Sequence, residues 1–204
     1  MRTLITVPMK APSASKTRLA ASLDDKARAR FARLLYHRTL RFLAPIAAQT
    51  GADLAVVTGS ESAADIARGQ GVAVIREGPA SGLSAALAQA ATWALAKGYG
   101  RLCVIPADLA APLDRDVLRL LESPAPVTIC PAVDMGTNAL LVTPPDALRF
   151  CFGPRSALRH REQAEARGLH PVMMPLESLS FDVDTTGGLR RAIDEVPDIA
   201  RICG

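Results

Sequence analysis

The sequence predicts an α/β fold built on a mostly parallel sheet, from three observations. Short apolar runs alternate with longer helical stretches along the whole chain, the signature of strands joined by helices. The run Leu102–Ile105 is apolar at every position, as a parallel strand covered on both faces must be. The chain has 204 residues, 49% hydrophobic and 22% charged, which suits one globular domain with a single large core and excludes a disordered chain.

In chain order, Thr3–Pro8 reads as a first strand, ended by proline, and residues 9–17 as an open loop rich in Ser, Pro and Lys. A long amphipathic helix is expected from Asp24 to Ala48. Phe31, Leu34, Leu35 and Leu40 lie near helical spacing, arginines fill much of the remainder, and Asp24 and Asp25 complement the dipole at its start. Asp53–Thr58 predicts a second strand, Glu61–Arg68 a helix and Val72–Ile75 a third strand, with Gly71 and Gly78 as punctuation. Ser81 or Ser84 is expected to open the next helix, which runs to Lys97 and stops at Gly98. Leu102–Pro106 is the fourth strand, followed by a helix over Asp114–Glu122 and strands at Val127–Cys130 and Ala139–Thr143. A helix at Ala157–Arg167 follows the loop Phe152–Ser156. Pro171–Met174 and Ser180–Val183 read as extended, and Gly188–Asp194 as a last short helix.

Charge is unevenly spread. The formal net charge is +4, yet residues 1–41 hold ten of the 24 Lys and Arg and only two of the 20 Asp and Glu. Such a bias points to a polyanion near the start of the chain, either nucleic acid or a nucleoside triphosphate. An aromatic content of 4% offers few platforms for stacking bases and argues against nucleic acid. Cys103, Cys130, Cys151 and Cys203 are widely spaced, with no CxxC pair and no histidine at ligand spacing, so reduced thiols are expected rather than a disulfide framework or a zinc site. No apolar stretch approaches the length of a membrane span, and a soluble cytoplasmic protein is expected.

Ligands of open parallel sheets bind beyond the carboxyl ends of the strands, and four segments place unusual polar residues there. The loop after the first strand holds Lys10 and Lys16, two of the chain's four lysines, with Arg18 beside them. Lysine as a point charge and arginine as a fork suit a phosphate chain, and a solvated surface loop is the equal alternative. Neither the dinucleotide fingerprint GxGxxG nor the P-loop GxxxxGK[ST] occurs. Asp108, in PADL, ends the fourth strand where a hard cation bridging phosphates needs an oxygen ligand, a helix cap or turn aspartate being the other reading. In FDVDT, alternation puts Asp182 and Asp184 on one face, where they either share that cation or repel one another, and opening the last helix is the structural alternative. Sharing it, they and Asp108 would make a two-sided carboxylate site for Mg²⁺. The segments 134–138 and 152–156 combine glycine with hydroxyl or amide residues, a composition that lets backbone N–H groups and side chains approach an anion together. Ser156 near a helix start adds the dipole. His37, His160 and His170 lie on separate elements. His37 reads as exposed or half-buried, His160, one helical turn after Ser156, as a surface histidine with bordering an anion site as the alternative, and Trp93 as core.

The ordered series PMKAPSASKTRLA, GPASGLSAALAQA, PADL, DMGTNALLVTP, FGPRSALRH and FDVDTTGGL resembles the 2-phospho-L-lactate guanylyltransferase family of coenzyme F-420 biosynthesis, over essentially the whole chain. PADL and the GL-containing helix start are shared more widely among MobA-like nucleotidyltransferases. The resemblance implies a single-domain, three-layer α/β/α sandwich of GT-A type with a mixed, mostly parallel sheet. It implies GMP transfer from GTP to a small phosphorylated carboxylic acid, 2-phospho-L-lactate or phosphoenolpyruvate, with release of pyrophosphate. By the same resemblance Asp108 and Asp184 are Mg²⁺ ligands with Asp182 nearby. Lys10, Lys16 and Arg18 face the triphosphate, Lys16 serving catalysis with the two aspartates. Gly82, Leu83 and Ser84 line the nucleoside, while Thr137, Gly153 and Ser156 hold the acid. The sequence departs from the family pattern at Thr186–Gly188, at Ala110, at Ser84 and at Arg155. Other readings stay open: a related enzyme with another nucleotide or with 3-phosphoglycerate as acceptor, a glycosyltransferase using a DxD cation site, and a nucleotide- or nucleic-acid-binding protein without turnover. No membrane partner is expected, and a homodimer is left open.

Overall fold

A computed structural model describes residues 1–20, 22–78 and 82–180, together with Val183, Leu189, Ala192 and Ile193. Its centre is a seven-stranded sheet of β1 (Thr3–Pro8), β2 (Asp53–Thr58), β3 (Ala73–Arg76), β4 (Arg101–Val104), β5 (Val127–Pro131), β6 (Thr137–Val142) and β7 (Val172–Met173). The spatial order is β3-β2-β1-β4-β6-β5-β7. The pairs β1/β2, β1/β4, β2/β3 and β5/β7 are parallel, and only β6 runs against its neighbours β4 and β5. The expected mixed, mostly parallel sheet is therefore observed.

Strand alternation feeds two apolar layers. Ile5, Val7, Val56, Cys103, Ile105 and Leu141 face one side, where they meet Tyr36, Leu40, Leu43 and Ile46 of α1 (Asp25–Thr50) and Val117 and Leu120 of α4 (Asp114–Leu121). Leu4, Val57, Leu102, Val104, Leu140 and Val142 face the other, against an alanine-rich surface of α3 (Leu83–Ala96) and against Ala157 and Ala164 of α5 (Ser156–Ala166). Alanines at 86, 90, 91 and 94 let α3 lie close on the sheet. The remaining helices are α2 (Glu61–Gly69) and the short α6 (Glu177–Ser180). Among the described residues no helix is long and apolar enough to cross a membrane.

Most predicted elements are present within a residue or two. The first long helix starts at Asp25 because the Asp24 carboxylate accepts from the Ala27 N–H at 2.7 Å and caps it. That helix also absorbs Pro45, which lies on its exposed side, where the carbonyl left without a donor can reach water. Ser180, read as extended, instead ends α6, and the rest of the predicted segment 181–183 is described only at Val183.

The chain leaves β1 toward β2 on one side, while β4 returns on the other. The carboxyl ends of β1 and β4 are thus a topological switch point, where a crevice opens in sheets of this kind.

Candidate active site

The loop leaving β1 exposes Lys10, Ser13, Ala14 and Thr17 but buries Pro12, Ser15 and Lys16, so it is not a wholly solvated segment. It is wound into two turns of 3₁₀ helix, Pro12–Ala14 and Thr17–Leu19, with Lys16 between them in left-handed backbone at φ 57°. Leu19 and Leu23 are buried with Phe31 and Leu35 of α1 and with Ala110, so an apolar anchor ties the loop to the fold. Buried Arg28 reinforces it, its Nε donating to the Ser15 carbonyl at 3.3 Å. Lys16 is consequently only 7% exposed, and its ammonium donates to Oδ2 of Asp108 in an ion pair. Sequence distance hides this pairing, which joins the ends of β1 and β4.

Around the pair lies a cavity of about 500 Å³ whose lining includes Lys10, Lys16, Glu77, Gly82, Leu83 and Asp108. Four of the residues expected to meet the nucleotide, and Asp108, expected to hold its cation, therefore share one space. Gly82 caps α3 at φ 100°, a conformation that strains any residue with a Cβ, so glycine is required there for its backbone. The cap is Gly82 and not Ser84. Ser84 lies in its first turn with its Oγ accepting from the Phe152 N–H at 3.0 Å, and Ser81 is outside the described residues. Arg18 has its backbone in the second 3₁₀ turn, and its side chain is outside the description. Glu77 was not singled out by sequence. The strand-end rule that flags Asp108 applies equally to it, one residue past β3, where its Oε2 accepts from the Gly59 N–H at 3.2 Å.

A second cluster forms where β6 begins. Thr137 and Asn138 belong to the strand rather than to the preceding turn, which is closed by the Asp134 carboxylate accepting from the Gly136 N–H at 2.9 Å. Ser156, fully buried, is the first residue of α5, and its hydroxyl donates to Thr137 Oγ1 at 3.0 Å. Gly153, at φ 128°, supplies the carbonyl that accepts from the Ser156 N–H at 3.1 Å. The three residues expected to hold the acid are therefore adjacent. The Ser84–Phe152 hydrogen bond ties their loop to the helix that walls the cavity.

His160 overturns the expectation of a surface residue. It is completely buried, edge-on to Phe152 with ring centroids 5.1 Å apart, and its Nδ1 lies 3.0 Å from Thr137 Oγ1. Burial, with a smaller contribution from Arg159, holds its pKa down at about 4, so the ring is neutral. His37 is half-buried on α1 and within 3.0 Å of Gln70 Nε2, as its position implied. Burial raises the pKa of the Cys103 thiol to about 12 and also raises that of Cys130, so neither is an activated nucleophile.

Asp182 and Asp184 lie outside the described residues, and among those described no group of three or more His, Cys, Asp or Glu is placed to hold a metal. All three non-glycine residues with positive φ among the described residues, Lys16, Met135 and Arg155, border the two clusters. Backbone strain gathered in this way is typical of functional sites.

A family model described as guanylyl transferase CofC-like matches residues 1–193. The chain belongs to this CofC-like family. It is a nucleotidyltransferase, as the series of motifs implied. Among relatives of the CofC-like chain, the 3-phospho-D-glycerate guanylyltransferase of Colwellia psychrerythraea is 41% identical over 93% of this chain and 90% of its own. The phosphoenolpyruvate guanylyltransferase of Rubrobacter xylanophilus is 34% identical, covering 94% and 93% of the two chains. A nucleotidyl transferase from Methanothermobacter thermautotroptrophicus superposes with a TM-score of 0.61 at 17% identity, over 98% of both chains. A CMP:2-keto-3-deoxy-manno-octonic acid synthetase, solved with CTP, superposes with a TM-score of 0.63 at 11% identity, over 97% of this chain and 99% of that one. Likeness at this level speaks for the fold.

Proposed function

We propose that this CofC-like chain moves GMP from GTP to a three-carbon phosphorylated acid, releasing pyrophosphate, as a step in making coenzyme F-420. One observation carries the reading. Buried Lys16, paired with half-buried Asp108, stands in a cavity of nucleotide size, and a hydrogen bond from the wall of that cavity reaches a hydroxyl cluster suited to a carboxylate.

In this reading a phosphate oxygen of the acceptor bonds to the α-phosphorus of GTP, and the bond from that phosphorus to the bridging oxygen of the β-phosphate breaks. Pyrophosphate leaves with the electron pair, and no covalent enzyme intermediate is needed. Lys10 and Lys16 balance the charge of the triphosphate, and the ion pair with Asp108 holds the Lys16 ammonium in place before substrate arrives. Positioning and electrostatics dominate, as in other phosphoryl-type transfers. Glu77 brings an acceptor-only carboxylate into the cavity, and the guanine edge offers two adjacent donors, N1–H and the N2 amine, that match it.

Asp108 is a hard oxygen donor at the strand end, and Mg²⁺ needs only one or two carboxylates besides substrate phosphates and water, so the donor set fits this cation. Asp108 would hold it, with Asp182 and Asp184 as the further carboxylates proposed from sequence. When bound, the ion would supply charge neutralisation across the phosphates.

Thr137 presents a hydroxyl, and Gly153 a turn without a side chain, to the acceptor's carboxylate, while Ser156 stands behind Thr137 and donates to its Oγ1. The relatives named for 3-phospho-D-glycerate and phosphoenolpyruvate favour these acids over 2-phospho-L-lactate, and the relative at 41% identity puts phosphoglycerate first. The test is pyrophosphate release from each of the four NTPs with each of the three acids, in the presence of Mg²⁺. Release is expected with GTP and 3-phospho-D-glycerate or phosphoenolpyruvate. Release with CTP in preference to GTP, or none with any pair, would overturn the proposal.

A further inference from the structure

Among the described residues His160 is the fully buried histidine, the reaction above does not use it, and its hydrogen bonds determine where its proton sits. The Cys151 backbone N–H, which can only donate, points at His160 Nε2 from 3.1 Å. Nε2 must therefore be bare, and in a neutral imidazole the hydrogen is then on Nδ1. That hydrogen donates to Thr137 Oγ1, 3.0 Å away. Ser156 Oγ donates to the same oxygen, also at 3.0 Å. With two hydrogens directed at it, Thr137 Oγ1 is an acceptor twice over, and its own O–H has to donate elsewhere. Among the described residues no acceptor engages it, and Thr137 is half-buried at the mouth of its cluster rather than sealed within it.

We infer that His160 is a positioning residue. Through the chain from Cys151 to His160 to Thr137, it commits the Thr137 hydroxyl to donate to the carboxylate of the acid acceptor. The inference rests on the assignment of Thr137 to the acceptor site. A free threonine hydroxyl would rotate among partners, and Ser156 alone leaves one lone pair of Thr137 open to compete. The ring fills that position, and its stacking edge-on to Phe152, together with full burial, keeps it from turning.

The experiment has two arms. In the first, KM for the acid (3-phospho-D-glycerate or phosphoenolpyruvate, whichever is turned over) and for GTP is measured for four variants. Thr137→Val is expected to raise the acid KM by about ten- to a hundredfold, the weight of a hydrogen bond to a charged group. His160→Leu should raise it by about tenfold, with kcat and the GTP KM changed little, the pattern of lost ground-state binding. His160→Asn, whose amide nitrogen can replace Nδ1, should recover most of this, whereas His160→Gln, whose amide reaches the Nε2 position, should not. In Thr137→Val, adding His160→Leu should cost nothing more, because the histidine acts through the threonine. In the second arm, ¹⁵N NMR of histidine-labelled wild-type protein should show His160 protonated on Nδ1 at neutral pH. An unchanged acid KM in Thr137→Val would overturn the acceptor-site assignment itself. If that variant is impaired, then additive losses in the double variant, equal behaviour of Asn and Gln, or an Nε2–H tautomer would overturn the inference alone.

Discussion

The two halves of the site solve different electrostatic problems with different materials. On the β1–β2–β3 side everything is parallel, and the polar side chains lining the cavity, Ser15 apart, are charged: Lys10, Lys16, Glu77 and Asp108. On the β6 side, where the strand turns antiparallel, the working groups are neutral: two hydroxyls, an imidazole held below its usual pKa and backbone amides. A triphosphate carries several charges spread over many oxygens, so fixed opposite charge is the economical partner. A carboxylate on a three-carbon acid has one charge and must be aimed. Directional donors whose hydrogens have no alternative accomplish that without taking a charge out of water.

The comparison is broken most sharply at its charged end. Lys16→Ala or Asp108→Ala should each lower kcat by about two to three orders of magnitude, the usual cost of removing a preorganised charge-stabilising group. Steady-state pyrophosphate release checks this. Turnover within threefold of wild type in both variants would mean that the ion pair is structural.

The neutral half is sharpened by pH. His160 has a folded pKa near 4 against an ordinary value of 6.5, so the unfolded chain binds its proton first as pH falls. Its contribution to stability is complete above pH 6.5 and is lost on acidification toward pH 4, a difference of roughly 3 kcal/mol. Urea unfolding of wild type and His160→Asn at both ends of that window isolates the effect from that of the carboxylates. The wild type should lose more stability than the variant, and parallel losses would contradict a buried neutral ring.

Smallest, and outside both halves, is Asp24→Ala. It removes the cap of α1 and should cost about 1 kcal/mol in stability. Acid and GTP KM values should hold, because the loop is anchored by Leu19, Phe31 and Arg28 rather than by the cap. A large rise in GTP KM would show that the loop depends on the first turn of the helix.

How much of this was legible in the chain follows from how local each signal is. Strand and helix positions came from periodicity, which needs only neighbouring residues, and Asp108 from the rule that ligands gather at strand ends. The same rule reaches Glu77 once it is applied to every strand. Lys16 was visible as a scarce lysine in a basic loop. Its burial was not, because the apolar anchor that covers it joins Leu19 and Leu23 to Phe31, Leu35 and Ala110 across more than ninety residues. Thr137 and Ser156 were named by resemblance to the family and stand side by side in the fold. Asp182 and Asp184 lie outside the described residues.

By itself, then, the sequence determined the alternation of strands and helices, the family, and which residue types stand at the strand ends, since each is written in local pattern and composition. Only the tertiary structure decided which of these residues meet, that the basic loop is tied down rather than free, and that His160, rather than lying at the surface, is sealed against Thr137 and Ser156. Burial and hydrogen-bond direction are properties of neighbours in space, and the proton on His160 is located by a backbone N–H nine residues away in sequence.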